Sequence, residues 1–258
     1  MDYFHKYESN PFAELAWNIP DQKRGSMLVI GGNSQSFRTV IKTAEIISNT
    51  FPVKELTIAL PKSLERTLPP LDNLVFLPAT DSGSFDNSEE LTEILAASDY
   101  NLLIGDFSKN TITARAILDA CKNVKKPTLL TRDGVDLIAT SGLEPLLMNE
   151  QLCLFAPLAS IQKIFRAVYY PKVILLSQPL MQIAEALHKF TLSYPVSIIT
   201  LHNEQILVAK NGNVSAIPIE KTAYTPLTIW MGEAASKIAA FNLYNPNQFE
   251  NATVAALF

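Results

Sequence analysis

The sequence predicts an α/β fold, a three-layer α-β-α sandwich around a mostly parallel sheet with an antiparallel hairpin at one edge. Short continuous apolar runs alternate with helical patterns through the first half, as parallel strands buried on both faces require. Later, two apolar runs flank Asn211-Gly212-Asn213, a good hairpin turn. Hydrophobic residues make up 48% of the 258 positions, ample for one large core. We therefore expect a single domain over residues 1–258, without repeats or linkers.

Residues 1–24 read as a lead-in helix and a polar approach. Strand patterns follow at 27–30, 56–60, 74–77, 102–104 and 128–131, with helical patterns at 39–50, 89–97 and 111–123. In the first helix Val40, Ala44 and Ile47 share a stripe with Ile41 beside it; in the third, Ile112, Ala116 and Cys121 lie near one face with Ala120. A strand at 152–155 and a helix at 161–168 come next. Residues 172–176 fit either a strand or the start of a long helix ending near Phe190, and apolar continuity does not separate the two. A strand at 196–201 precedes the hairpin, 205–210 and 214–219. Helices at 233–241 and 248–257 close the chain, with Pro246 between them.

Composition excludes several function classes. The chain has 21 basic and 25 acidic residues, net −4, and no basic block, which argues against nucleic acid. No apolar run is long enough for a membrane span. The opening M-D-Y-F-H-K-Y-E lacks the apolar core of a signal peptide. The expectation is a cytoplasmic protein with a small-molecule ligand. Cys121 and Cys153 sit in apolar patterns and read as buried thiols rather than a disulfide. His5, His188 and His202 are far apart and lack ligand spacing, so no zinc site is expected.

The most informative stretch is G-S-M-L-V-I-G-G-N-S-Q-S-F-R, residues 25–38. An apolar strand runs into two glycines and small polar residues, then a helix. In an open parallel sheet the ligand crevice lies beyond the carboxyl ends of the strands. Polar loops at 31–36, 80–87, 105–110, 131–134, 156–160 and 225–233 are expected to converge there. Gly31 and Gly32 permit close backbone approach and positive φ. Asn33, Ser34 and Ser36 either cap the next helix or hydrogen-bond a ligand. The stretch is neither the G-x-G-x-x-G dinucleotide fingerprint nor a phosphate loop with G-K-[ST].

A second stretch, W-M-G-E-A-A-S-K-I-A-A at 230–240, opens a helix with Gly232 at its N-terminus. Free amides there attract an anion. Glu233 suits the helix dipole and is placed to act as a general base, although a carboxylate at a helix start also stabilises without chemistry. Asp133 and Asp106 each follow an apolar strand, where they would bind magnesium through water or phosphate, or cap the next element. Residues 81–86, with Asp81, Ser82, Ser84 and Asp86 around Gly83, read as a solvated loop. Phe165, Tyr169 and Tyr170 fit either a subunit interface or a buried helix end.

In their order, these motifs resemble the ribokinase-like superfamily across residues 20–258, with the nearest likeness to its ADP/ATP-dependent NAD(P)H-hydrate dehydratases. That family's opening lysine-glycine, strand and G-G-S look like Lys23, Gly25, Leu28 to Ile30 and Gly31-Gly32-Asn33. Its G-P-G-L-G looks like Gly105-Asp106-Phe107-Ser108-Lys109, its D-A-D-A-L like Thr131-Arg132-Asp133-Gly134-Val135, and its T-P-H-P-G-E like Ala156-Pro157-Leu158-Ala159-Ser160-Ile161. The late G-T-G-D, anion hole and catalytic aspartate, looks like Trp230-Met231-Gly232-Glu233. The resemblance implies ATP or ADP with magnesium, an NAD(P)H hydrate as substrate, and self-association. It implies Glu233 as catalytic base, Gly32, Asn33 and Asp133 on the substrate, and Trp230, Met231 and Gly232 on the transferred phosphate. The chain departs from the pattern at Trp230 for glycine, Glu233 for aspartate, Leu158 and Ile161 for histidine and glutamate, and Leu201-His202 for lysine-glycine. Those departures keep two alternatives open, a catalytically silent metabolite-binding or assembly homologue and a small-metabolite kinase.

Overall fold

The computed structural model describes residues 2–69, 73–139 and 142–258. Its strands are β1 (Phe4–Lys6), β2 (Arg24–Gly31), β3 (Val53–Pro61), β4 (Leu74–Leu77), β5 (Tyr100–Gly105), β6 (Thr128–Thr131), β7 (Leu152–Phe155), β8 (Ser197–His202), β9 (Gln205–Lys210) and β10 (Asn213–Pro218). They form one sheet in the order β1-β10-β9-β8-β7-β6-β5-β2-β3-β4. From β8 to β4 every neighbouring pair is parallel. The hairpin β9–β10 adds antiparallel pairing at one edge.

The helices are α1 (Arg38–Thr50), α2 (Ser88–Ala97), α3 (Thr111–Asn123), α4 (Asp133–Ile138), α5 (Glu144–Leu147), α6 (Leu158–Ala167), α7 (Leu180–Ser193), α8 (Glu233–Tyr244) and α9 (Phe249–Leu257). Side chains alternate across a strand, and β2 shows the consequence. Leu28 and Ile30 join the core beneath α2 to α7, whereas Met27 and Val29 join the core beneath α1, α8 and α9. All four are buried. This two-sided burial is why the central strands read as continuous apolar runs. Asn87 and Asn110 start α2 and α3 as side-chain caps, accepting from the amides of Glu89 and Thr113 at 2.8 and 2.7 Å.

Several elements differ from the sequence expectation. The lead-in helix is instead β1 and a short 3₁₀ helix, Ala13–Asn18. β1 runs parallel to β10, with Phe4 opposite Val214; a three-residue edge strand made by tertiary pairing leaves no local period to read. Residues 172–176 are neither strand nor helix. Their polar backbone is met by side chains, Gln162 donating to Ile174 O and Leu175 N donating to Gln178 Oε1, and α7 starts only after Pro179. On α3 three of the four residues expected on the buried face, Ala116, Ala120 and Cys121, are buried, together with Thr113, Ala114, Ile117 and Leu118, whereas Ile112 points outward. The 81–86 loop is not wholly solvated, because Gly83, Ser84 and Phe85 are buried. The short helices α4 and α5 carry no separate sequence signal.

Both cysteines are buried and free, and burial pushes the Cys121 thiol up to about 12. The aromatic group before Pro171 divides. Phe165 stacks on Phe190 at 4.1 Å, and Tyr170 meets both edge-on, whereas Tyr169 is 93% exposed. Phe190 is fully buried at the centre of this cluster. Phe190→Ala is expected to lower the unfolding free energy by about 3–5 kcal/mol through lost burial and a residual cavity, read as a drop in the urea midpoint.

Candidate functional site

The strand order reverses between β2 and β5. From β2 the chain steps outward to β3 and β4, then returns to β5 on the other flank and continues through β6, β7 and β8. Such a switch opens a crevice at the strands' carboxyl ends. Here it is built by backbone contact. Gly31 faces Gly105 after a register shift, and Gly32 N donates to Gly105 O at 2.9 Å. A Cβ on Gly31 would collide with the Gly105 carbonyl, and one on Gly105 with the Asp133 carboxylate.

Three loops meet at this point. Asn33 Nδ2 donates to Asp106 O at 2.6 Å, and Asp106 N donates to Asp133 Oδ1 at 3.0 Å. Arg132 donates to Asp106 Oδ1 at 2.6 Å. The Asp106 side chain is only 10% exposed, and its second oxygen, Oδ2, is buried without a hydrogen-bond partner. Asp106 and Arg132 both hold positive φ, 59° and 53°, conformations that cost energy for non-glycine residues and cluster at functional sites. Burial raises the Asp133 carboxyl above its ordinary range, helped by the Asp106 charge; the Asp106 amide and Arg132 oppose the shift. Beside Asp133 lies a cavity of ≈350 Å³ lined by Phe107, Lys109, Asn110, Asp136 and Lys163. Over the crevice Asn110 Nδ2 donates to Ser82 Oγ and Ser108 Oγ, both at 2.6 Å. Ser34 N donates to Gly83 O at 2.9 Å, tying the 80–87 loop to the glycine turn.

The second predicted cluster lies at the same end of the sheet. Gly232 has φ +91° and precedes α8, whose start has no side-chain cap. The first-turn amides of α8 are therefore left for water or a ligand. Met231 N already donates to Thr228 O at 2.9 Å, so it is not among them. Gly232 packs on Thr43 of α1, whose hydroxyl donates to Thr39 O at 2.7 Å. Glu233 is exposed; its charge faces Lys237 and Tyr224, whose hydroxyl is pushed up chiefly by burial. Trp230 is partly buried against Phe155, the last residue of β7, with ring centroids 4.8 Å apart.

The structure thus brings together Gly32, Asn33 and Asp133, and separately gathers Trp230, Met231, Gly232 and Glu233 at the start of α8. Sequence reasoning missed Arg132, whose only signal was a basic residue between a strand and Asp133. It also missed the Ser82–Ser108–Asn110 hydroxyl and amide network, which joins positions 28 residues apart.

Gly232→Ala is expected to destabilise the fold by about 1–3 kcal/mol through backbone strain and collision with Thr43. Adding Thr43→Ala should recover the collision part, a non-additivity read from denaturation of the four proteins. For Asp133, the folded protein holds the proton more tightly than the unfolded chain. Stability contributed by this group is therefore present at low pH and falls as pH rises from the ordinary aspartate range through the raised folded value. Asp133→Asn keeps an acceptor for the Asp106 amide and should remove that fall from the urea midpoint measured against pH.

No family model matches the chain, and no curated protein matches it in sequence. Solved structures do resemble it. A ribokinase-like superfamily protein from Enterococcus faecalis aligns with TM-score 0.66 at 12% identity, over 99% of this chain and 85% of its own. An ADP/ATP-dependent NAD(P)H-hydrate dehydratase from Bacillus subtilis, crystallised with ATP and magnesium, aligns with TM-score 0.63 at 10% identity, over 97% and 86%. A hypothetical protein from Streptococcus mutans aligns with TM-score 0.63 at 17% identity, over 95% and 86%. Together with the sheet order and the switch-point crevice, these likenesses show that the chain has a ribokinase-like fold.

Proposed function

We propose that the chain is a nucleotide-dependent phosphoryl-transfer protein and, more finely, an NAD(P)H-hydrate dehydratase. In that reaction the γ-phosphoryl of ATP, or the β-phosphoryl of ADP, passes to the hydroxyl of the hydrated nicotinamide ring. Phosphate then leaves as an adjacent C–H proton is lost, restoring the double bond. The observation that carries the reading is the start of α8. Its uncapped first turn follows a left-handed glycine and bears Glu233, at the same sheet end as the Asn33–Asp106–Asp133 cluster. The amides of that turn stabilise charge on the transferring group. Glu233 takes the hydroxyl proton as the oxygen attacks phosphorus. Asn33 and Asp133 hold the substrate, and magnesium, held mainly by the nucleotide's own phosphates, would supply charge neutralisation there.

A second reading, a silent metabolite-binding homologue, is favoured by one contact. The resemblance puts Trp230 in the place of an anion-hole glycine, and its ring rests against Phe155, a bulk that would narrow the approach to α8. The two readings separate in a calorimetric titration with ADP and ATP, each with magnesium. The catalytic reading expects saturable one-site binding. It also expects Glu233→Gln to keep that binding while turnover of hydrated NADH falls about 10²- to 10⁴-fold. Absence of binding at millimolar nucleotide, with binding gained in Trp230→Gly, would establish the silent reading. A stable phosphorylated product instead of free phosphate would make the protein a small-metabolite kinase.

A further inference from the structure

At the opposite end of the sheet lies a small polar cavity that the proposed reaction does not use. β5 begins there at Tyr100 and β8 at Ser197. The antiparallel β9 ends there at Lys210, because Ile198 pairs with Ala209. The last turn of α8 adds Asn242, and Pro246 and Phe249 at the α8–α9 corner close the space. The enclosed volume is ≈70 Å³, about that of two to three waters.

Its polar groups are unmatched. Asn242 is 3% exposed, and its Nδ2 donates to Ile238 O at 2.9 Å and Thr253 Oγ1 at 3.0 Å. Its Oδ1 is buried with no partner. Ser197 is 1% exposed, and its Oγ is likewise buried and unpartnered. Lys210 forms none of the described ion pairs, although the Glu150 and Glu250 charges act on it; its Nζ lies 4.4 Å over the Phe249 ring, and burial holds it below its usual range. Residues bearing an acceptor, a hydroxyl and a partly buried cation thus line one small space, and leaving the acceptor and the hydroxyl unmatched is costly. Two larger clefts adjoin it. One of ≈510 Å³ shares Tyr100, Pro127, Asn242 and Pro246; one of ≈280 Å³ shares Lys210, Pro246 and Phe249. They provide a path from solvent.

We infer that this cavity is a second ligand site, for a two- or three-carbon carboxylate bearing a hydrogen-bond donor on its α-carbon, either a hydroxy acid or an amino acid. The carboxylate accepts from Lys210 Nζ and Ser197 Oγ, and the α-hydroxyl or α-ammonium donates to Asn242 Oδ1. Glu150 on the same wall and Glu250 in the adjoining cleft disfavour more highly charged anions.

The test is titration of the full chain with glycolate, glycine and acetate, followed by calorimetry and by the chemical shift of the Asn242 side-chain amide. We expect saturable one-site binding of glycolate or glycine, whichever binds identifying the donor as hydroxyl or ammonium. Acetate, which leaves Asn242 Oδ1 unpaired, should bind at least tenfold more weakly. Lys210→Met and Ser197→Ala should each weaken the better ligand tenfold or more, whereas Ile112→Ala, on the exposed face of α3, should leave it unchanged. Lack of saturable binding by both glycolate and glycine would show a cavity that holds only water and would overturn the inference. So would acetate binding equally well, or an unmoved Asn242 amide signal in the wild-type protein.

Discussion

The close approach of β2 and β5 at Gly31 and Gly105 is the contact on which the candidate site depends. Side chains at either position would drive the strand ends apart or displace Asp133. With hydrogen for a side chain, the two backbones close to a 2.9 Å hydrogen bond between Gly32 N and Gly105 O. The next residue along each strand is then committed. Asp106 turns into positive φ, its carbonyl comes within reach of Asn33, and its amide points at Asp133. A crevice set by backbone packing in this way does not depend on flexible side chains for its shape, which is what positioning chemistry needs.

The same cluster opposes folding. It holds two carboxylates and a guanidinium in a half-buried space, one carboxylate oxygen without a partner, and two non-glycine residues in left-handed backbone. Each is unfavourable for stability alone. The compensation lies below, in strands whose two faces are both buried against helices. Residues such as Met27, Leu28, Val29, Leu129 and Leu130 are fully buried. Strain concentrated at one sheet end over an apolar core is the pattern expected when geometry there serves a ligand rather than the fold.

Burial on both faces also explains what the sequence makes legible. Strands β4, β6 and β7 and helix α3 have the expected bounds, because continuous apolar runs and a 3.6-residue period are local signals. The 205–210 strand and its hairpin partner were legible from Asn211-Gly212, whose φ values of 49° and 82° only such residues adopt readily. Elements held by distant partners were not legible. β1 exists through β10, and the path of 172–176 rests on side chains of Gln162 and Gln178. The site divides in the same way. Gly32, Asn33 and Asp133 announced themselves by following apolar strands, whereas Arg132 acquires its role only when β5 and β6 lie side by side and bring Asp106 to it. The polar cavity at the far end was invisible because Ser197, Lys210 and Asn242 come from three elements with no shared motif.

Helix α8 connects the two ends of the molecule. Its twelve residues span about 18 Å, with Gly232 at the switch-point end and Asn242 in the last turn beside the far cavity. Ala234, Ala235, Ala239 and Ala240 are buried along it, and such small side chains let it lie close to the sheet. It is fixed at both ends, by Gly232 against Thr43 and by Asn242 on Thr253. A helix pinned twice in this way cannot slide past its neighbours without losing both contacts. A ligand at one end alters affinity at the other only if it binds two arrangements of the helix unequally. The contacts of α8 define one arrangement, so shared attachment to it is a reason for both ends to be rigid, not a reason for them to communicate.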